Sequence, residues 1–410
     1  MKNRLILYAL TVACALIPCR QVFAQGAPQA SLVANVRDFG AMGDGKTDDT
    51  AALEKAWAFV RDTHKPLHRE KFYSTVNATL YFPPGVYRYA GNGLSGDGSH
   101  CFQVKGDGVN SVRIEIEKDV YFITCVYVTS TNVEGISFNG GKGVFRCTWK
   151  GNMVGGKHIF HDCNFVDYSE CAIGNNANDA PYLTVYDCIF HCRNGADAIG
   201  IAWGGDIADG QITRCDFEQD AYHVKLGDHL GDCFQVGPRN SFISYGGTKT
   251  KADIWIVPNL DGPVNSGQGS IIAENKFGNE NVDPSKPRIL IAAEDQASGA
   301  DRLSRKPSEE ICRKNESVTG IKLRDNLFAG GGAPRRGLVY SLVPNTALIF
   351  DHNQFAGSRY PYLIEFDSRI QRLPDNARAN HTYVYSQEND GGQLCNLPGY
   401  AIALDPYSEF

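Results

Sequence analysis

His161-Asp162-Cys163-Asn164-Phe165, Tyr186-Asp187-Cys188-Ile189-Phe190 and Thr213-Arg214-Cys215-Asp216-Phe217 are three copies of one phrase. Each runs through a polar turn into a second apolar strand: Ala172-Ile173-Gly174, Ala198-Ile199-Gly200-Ile201 and Tyr222-His223-Val224-Lys225-Leu226. The phenylalanines stand 25 and then 27 residues apart. A period of that size, in strands without helices, means stacked coils. The phrase recurs upstream as Ile136-Ser137-Phe138. Downstream it recurs as Asn240-Ser241-Phe242, Asn275-Lys276-Phe277, Asn326-Leu327-Phe328 and Asn353-Gln354-Phe355. Coils stack at about 4.8 Å, so equivalent positions form columns. Phenylalanine then makes a core stack. The Asn column forms a side-chain ladder, and the Cys entries fit as small buried groups. The expected fold class is all-β, a right-handed parallel β-helix (solenoid) with an N-terminal capping helix. The gap of 51 residues from Phe277 to Phe328 has room for two coils and a loop.

The start of the chain reads as a targeting signal. Lys2 and Arg4 precede the apolar run Leu5 to Pro18, and Val22-Phe23-Ala24 is a small-x-small cleavage site before Gln25. The run is too short to span a membrane. The expected organisation is therefore a signal peptide at 1–24 and one β-helix domain at 25–410. Within it, 35–90 forms the cap and first coils, 130–370 the main coils and 371–410 the C-terminal end. The product is exported, periplasmic or extracellular. Cleavage removes Lys2, Arg4 and Arg20 and no acid, so the mature chain is more acidic than the formal net charge of −6. That balance argues against nucleic acid as a partner. Oligomeric state is not legible. Of the 13 cysteines, Cys14 and Cys19 fall in the signal, which leaves an odd number. The column Cys163, Cys188, Cys215 is expected to be unpaired, because stacked side chains point the same way. Cys171 with Cys192, and Cys312 with Cys395, are candidate bridges.

Gly40 to Thr47 matches the phosphate-loop pattern G-x-x-x-x-G-K-T, between a strand and a helix. Asp44, Asp48 and Asp49 would crowd a phosphate with negative charge, and strand repeats follow rather than alternating βαβ units, so no nucleotide is expected. The run instead shapes a turn and starts a helix with Leu53, Trp57 and Val60 on one face. Val36-x-Asp38-Phe39-Gly40-Ala41-x-Gly43-Asp44-Gly45-x-Thr47-Asp48-Asp49-Thr50-x-Ala52, followed by Phe82-Pro83-Pro84-Gly85-x-Tyr87, resembles the N-terminal signature of the pectate-lyase-like superfamily. That superfamily includes rhamnogalacturonases, polysaccharide lyases, uronan epimerases and phage tailspike enzymes. The resemblance implies a right-handed parallel β-helix acting on polysaccharide, and no particular reaction. Arg61 to Tyr73 departs from it as a long basic insertion. The polygalacturonase motifs are absent, and so is the D-P-H-D run of mannuronan epimerases.

Strict alternation along Tyr222 to Leu226, with Val224 and Leu226 inward, points His223 and Lys225 outward. Gly200 and Gly174 on the preceding coils then make a shallow trough with a basic rim. His191, Arg193, Asp197, Asp220, Asp228, His229 and Asp232 crowd its ends. In lyase or epimerase chemistry, Lys225 or His223 is the base and Arg193 neutralises a uronate carboxylate. In hydrolase chemistry, Asp197 and Asp220 are the first carboxylate pair to consider. His191, Trp203, Tyr222, His229 and Trp255 are candidate substrate-binding groups. No cofactor is certain; Ca²⁺ is the candidate, with Asp228 and Asp232 as ligands. The expected function is a secreted carbohydrate-active enzyme, with lyase or epimerase action on an acidic polysaccharide. A glycoside hydrolase or a non-catalytic glycan-binding β-helix protein is the alternative.

Overall fold

A 25- to 27-residue phrase with one phenylalanine must return to the same place once per coil, and it does. The computed structural model describes most residues from 32 to 395. The principal exceptions are 65–77, 149–156, 176–181, 244–249, 258–269, 279–284, 293–316, 369–383 and 388–392, besides shorter stretches between strands. The proposed signal segment lies outside the described residues, as do Asp228 and Asp232. The chain is an all-β parallel solenoid with three long sheets, besides a two-stranded one formed by Asp206–Ile207 and His229–Leu230. Sheet A has 12 strands, from Val33–Asn35 to Val384–Gln387. Sheet B has 11, from Asp44–Asp48 to Gln354–Ala356, and sheet C has 11, from Leu94–Gly96 to Gln393–Cys395. Each strand pairs in parallel with its equivalents on neighbouring coils.

Phe138, Phe165, Phe190, Phe217, Phe242, Phe277, Phe328 and Phe355 stack in order, with ring centroids 4.6–5.9 Å apart. Phe277 pairs directly with Phe328, so the 51-residue gap holds one coil and not two. The Asn ladder also forms. Asn240 Nδ2 donates to Asn275 Oδ1 at 3.0 Å, Asn275 to Asn326 at 3.1 Å, and Asn326 to Asn353 at 3.0 Å. The same amides donate to Ile212, Val236, Ile272 and Leu323 carbonyls at 2.8–2.9 Å. These carbonyls belong to the sheet A strands that lead into the corner toward sheet B, and a buried corner must satisfy them. The residue before each ladder position has positive φ: Gly135, Asp162, Asp187, Arg214, Arg239, Glu274, Asp325 and His352. One left-handed residue per coil makes the sharp corner.

The thiols of Cys163, Cys188 and Cys215 extend the same column, each donating to the carbonyl two residues back at 3.2–3.3 Å. The expected Cys171–Cys192 bridge is absent. Cys171 Sγ donates to Ile173 O at 3.1 Å and Cys192 Sγ to Tyr168 O at 2.9 Å. Cys312 lies outside the described residues.

Gly40 to Thr47 runs from a turn into a strand. Its second half is a strand, Asp44–Asp48, paired with Gly85–Tyr89. Asp49 Oδ1 accepts from Met42 N at 2.6 Å, and Asp44 Oδ1 from Lys46 N and Thr47 N at 2.8 and 2.7 Å. The α-helix Thr50–His64 buries Leu53, Ala56, Trp57 and Val60 against the first strands.

The ladder is the feature to test. Asn275→Ala removes a donor to two carbonyl oxygens and an acceptor for Asn240, so stability should fall by about 3 kcal/mol. Guanidinium denaturation reads this as a lowered midpoint; an unchanged midpoint would show that the corner does not depend on the amide.

Candidate functional site

Sheet C does not alternate strictly, and this decides what faces out. Phe122 and Ile123, Val144 and Phe145, Ala172 and Ile173, and Leu363 and Ile364 are adjacent pairs that both lie in the lumen core. The registers place Gly200–Ile201, His223–Val224 and Asp253–Ile254 at the same paired positions. Two successive inward residues let each strand bend around the lumen, and outward positions then fall one residue either side of the pair. Tyr222 and Lys225 face out and His223 faces in.

The trough therefore exists with a different floor. Its outward column is Arg146, Gly174, Ala202, Lys225, Trp255, Leu290 and Tyr340, each the register partner of the next. Gly174 and Ala202 are the small floor; Gly200 is inside. Arg146 and Lys225 flank the floor three coils apart, about 14 Å at the usual strand spacing. Arg146 Nη1 donates to Tyr121 Oη at 3.2 Å and lies 3.6 Å from Glu170. Burial pushes the Tyr121 hydroxyl far above its ordinary range. The Lys225 ammonium sits 4.5 Å above the Trp255 ring.

Trp255 and Tyr222 are not open platforms. Their rings meet at 4.9 Å in a small apolar cluster on the outer face with Ala221, Ala252 and Val257, and both are nearly buried. Trp255 Nε1 donates to Ala292 O at 2.9 Å. Burial, with a contribution from Asp197, pushes the Tyr222 phenol up to about 12. Trp203 is a core residue, fully buried beside His158. Its expected contact with substrate is incompatible with that position.

His223 is fully buried with its ring between Phe217 and Phe242, and its Nδ1 lies 3.1 Å from Asp253. No external substrate reaches it as a base. Asp220 is likewise fully buried and bonded to the Tyr168 hydroxyl, whereas Asp197 is exposed and lies 2.6 Å from Lys251 Nζ. The two carboxylates stand on opposite sides of the wall and cannot flank one glycosidic bond.

At the turn from sheet B to sheet C, Arg193 Nε donates to His191 Nε2 at 3.2 Å, and His191 Nδ1 lies 3.4 Å from Glu218. Accepting at Nε2 places the imidazole proton on Nδ1, toward the carboxylate. His229 is in a short strand paired with Asp206–Ile207; its side chain lies outside the described residues. Among the described residues no group of three or more His, Cys, Asp or Glu side chains is arranged to hold a metal. Sequence reasoning missed Arg146, Tyr121 and Ala202. The available signal was the repeated apolar doublet Phe122-Ile123, Val144-Phe145, Ala172-Ile173, which breaks the period of two.

A family model described as "Rhamnogalacturonase A/epimerase, pectate lyase-like" matches residues 33–139. Mannuronan C5-epimerase AlgE4 of Azotobacter vinelandii is 39% identical over 75 residues, 18% of this chain and 11% of that protein. Alginate lyase 7 of the same organism is 42% identical over 65 residues, 16% of this chain and 6% of that protein. Among solved structures, the AlgE4 A-module is similar at 13% identity with a TM-score of 0.43, covering 89% of this chain and 100% of that one. A GH87 α-1,3-glucanase catalytic unit from Streptomyces thermodiastaticus gives 13% identity and a TM-score of 0.44, covering 90% of this chain and 70% of that one.

Gly200→Ala and Gly174→Ala separate the two faces. A methyl on Gly200 would stand 2.6 Å from the His223 backbone oxygen, whereas one on Gly174 meets side-chain atoms at 3.3–3.5 Å. Gly200→Ala should cost about 2 kcal/mol, read by thermal denaturation, and Gly174→Ala well under half of that. The reverse order would restore strict alternation.

Proposed function

We propose that this member of the pectate-lyase-like parallel β-helix superfamily is an exported carbohydrate-active enzyme. It removes the proton next to a uronate carboxylate of an acidic polysaccharide, as a lyase or an epimerase. The observation that carries the reading is the outward column of sheet C, where Arg146 and Lys225 flank the small floor of Gly174 and Ala202. A polymer laid across the coils would meet a cation at each end of that floor. Carbanion-like charge beside a carboxylate is tolerable only when the carboxylate is neutralised. The Arg146 guanidinium supplies this.

Lys225, on the outer face beside the Trp255 ring, is the base: its neutral amine takes the proton that leaves the sugar carbon, while Arg146 holds the carboxylate. Tyr121, held by Arg146 and kept protonated by burial, is the proton donor on this face. The coils are right-handed in this reading. The Thr50–His64 helix closes the first coil; its buried apolar face supports that role. The N-terminal matches to epimerases and a lyase agree with an acidic substrate, although they span a small part of those proteins.

Incubation with acidic polysaccharides in D₂O tests the reading, with ultraviolet absorbance for unsaturated uronate, NMR for deuterium next to the carboxylate and a reducing-end assay. Deuterium or absorbance is expected, with activity reduced about 100-fold in Arg146→Ala and in Lys225→Ala. Reducing ends with neither signal would make the protein a hydrolase. Retention on glycan with no product would make it a binding protein.

A further inference from the structure

One column of the lumen changes character partway along the solenoid. The inward position preceding the core Ile, Val or Phe of sheet C reads Phe122, Val144, Ala172, Gly200, His223, Asp253, Arg288, Leu338 and Leu363. Its middle is a buried polar thread. Arg288 Nη1 donates to Asp253 Oδ2 at 3.1 Å, Nη2 to Ala329 O at 3.1 Å and Nε to the Tyr360 hydroxyl at 3.2 Å. That pair is balanced. Asp220 is not. It is fully buried, its Oδ1 meets the Tyr168 hydroxyl, and its Oδ2 has no hydrogen-bond partner among the described residues. Oδ2 lies where a methyl on Gly200 would be 3.1 Å away, so Gly200 makes room for it.

We propose that Asp220 is a proton-operated latch on the strand that presents Tyr222 and Lys225 to the outer face. A carboxyl group in this place, with a single hydrogen bond, is tolerated only in its neutral form. Among the described residues, Tyr168, Cys171, Cys192, His223, Asp253, Arg288 and Tyr360 are the titratable groups around this part of the lumen. Arg288 is committed to Asp253, Tyr360 and Ala329. An ionised Asp220 therefore has no cation to meet it. Its backbone is also a junction: Asp220 O accepts from Thr250 Oγ1 at 2.8 Å, and Ala221 O from Lys251 N at 2.8 Å. Ionisation drives the carboxylate toward water and takes the start of the Tyr222–Leu226 strand with it.

The sign follows from proton counting. Burial raises Asp220 well above the ordinary 3.8. Above that ordinary value the unfolded chain releases a proton that the folded chain keeps, so stability falls as pH rises until the folded-state value is passed. Protonation closes the latch and ionisation opens it, so rising pH favours the open form. This inference does not depend on which glycan the outer face takes.

The test is the guanidinium midpoint of the full-length chain, of Asp220→Asn and of Tyr168→Phe, from pH 5 to pH 9. Asp220→Asn keeps the shape and removes the titration. Relative to it, the wild-type folding constant should fall as pH rises, by up to about tenfold per pH unit, for as long as the folded chain keeps the proton that the unfolded chain has lost. In Tyr168→Phe, loss of the hydroxyl that favours the ionised form should extend the fall to higher pH, its start unchanged. Parallel wild-type and Asp220→Asn profiles would overturn the proposal. If Asp220→Asn does not fold, a Tyr168→Phe profile whose fall ends at the same pH as that of wild type would overturn it.

Discussion

Everything in this molecule depends on each coil finding the coil before it in the same register. A solenoid has no deep centre to fall back on; each coil buries its apolar edge only against its neighbours. The Phe138-to-Phe355 stack supplies non-directional burial, which alone would tolerate sliding. The Asn240-to-Asn353 ladder supplies direction, because an amide satisfies the next amide and a strand carbonyl only at one offset. The Cys163, Cys188 and Cys215 coils do without that amide, and their thiols donate to the preceding carbonyls instead.

The chemistry of the outer wall is written by a departure from the sheet's own rule. A pleated strand gives alternate residues to opposite faces, but sheet C turns two successive residues inward so that it bends round the lumen. Each strand then shows its second outward residue one place later than alternation would. In this way Arg146, Gly174, Ala202 and Lys225 come into one line, while His223 and Asp253, which look like surface residues in the chain, end inside.

Phe165, Phe190 and Phe217 made the repeat legible, since a stack needs the same residue in the same place and leaves a period in the chain. The Asn ladder was legible for the same reason, and the Leu53, Trp57 and Val60 face of the helix by its spacing. The candidate site was legible only in part. Lys225 reaches the outer face, as does Asp197, and Arg193 meets His191. His223 and Asp220 were misplaced because charge is a poor guide where a buried partner such as Asp253 or Tyr168 is supplied from another coil. No local pattern announces partners thirty or fifty residues away. The Cys171–Cys192 pairing failed for a related reason: backbone carbonyls next to each thiol satisfy it more readily than a bridge across coils.

The left-handed residue at the corner before each ladder position has a bearing on how such a chain changes length. Asp187, Arg214, Arg239, Glu274, Asp325 and His352 differ in size and charge, yet all adopt the same backbone. The corner belongs to the coil and not to a particular residue. A segment running from one such corner to the next is a complete module: removing it or copying it brings two identical joints together and leaves both columns unbroken. Over evolutionary time the outer face can thus be lengthened, shortened or given a new station by whole-coil exchange, with the lumen never having to be redesigned.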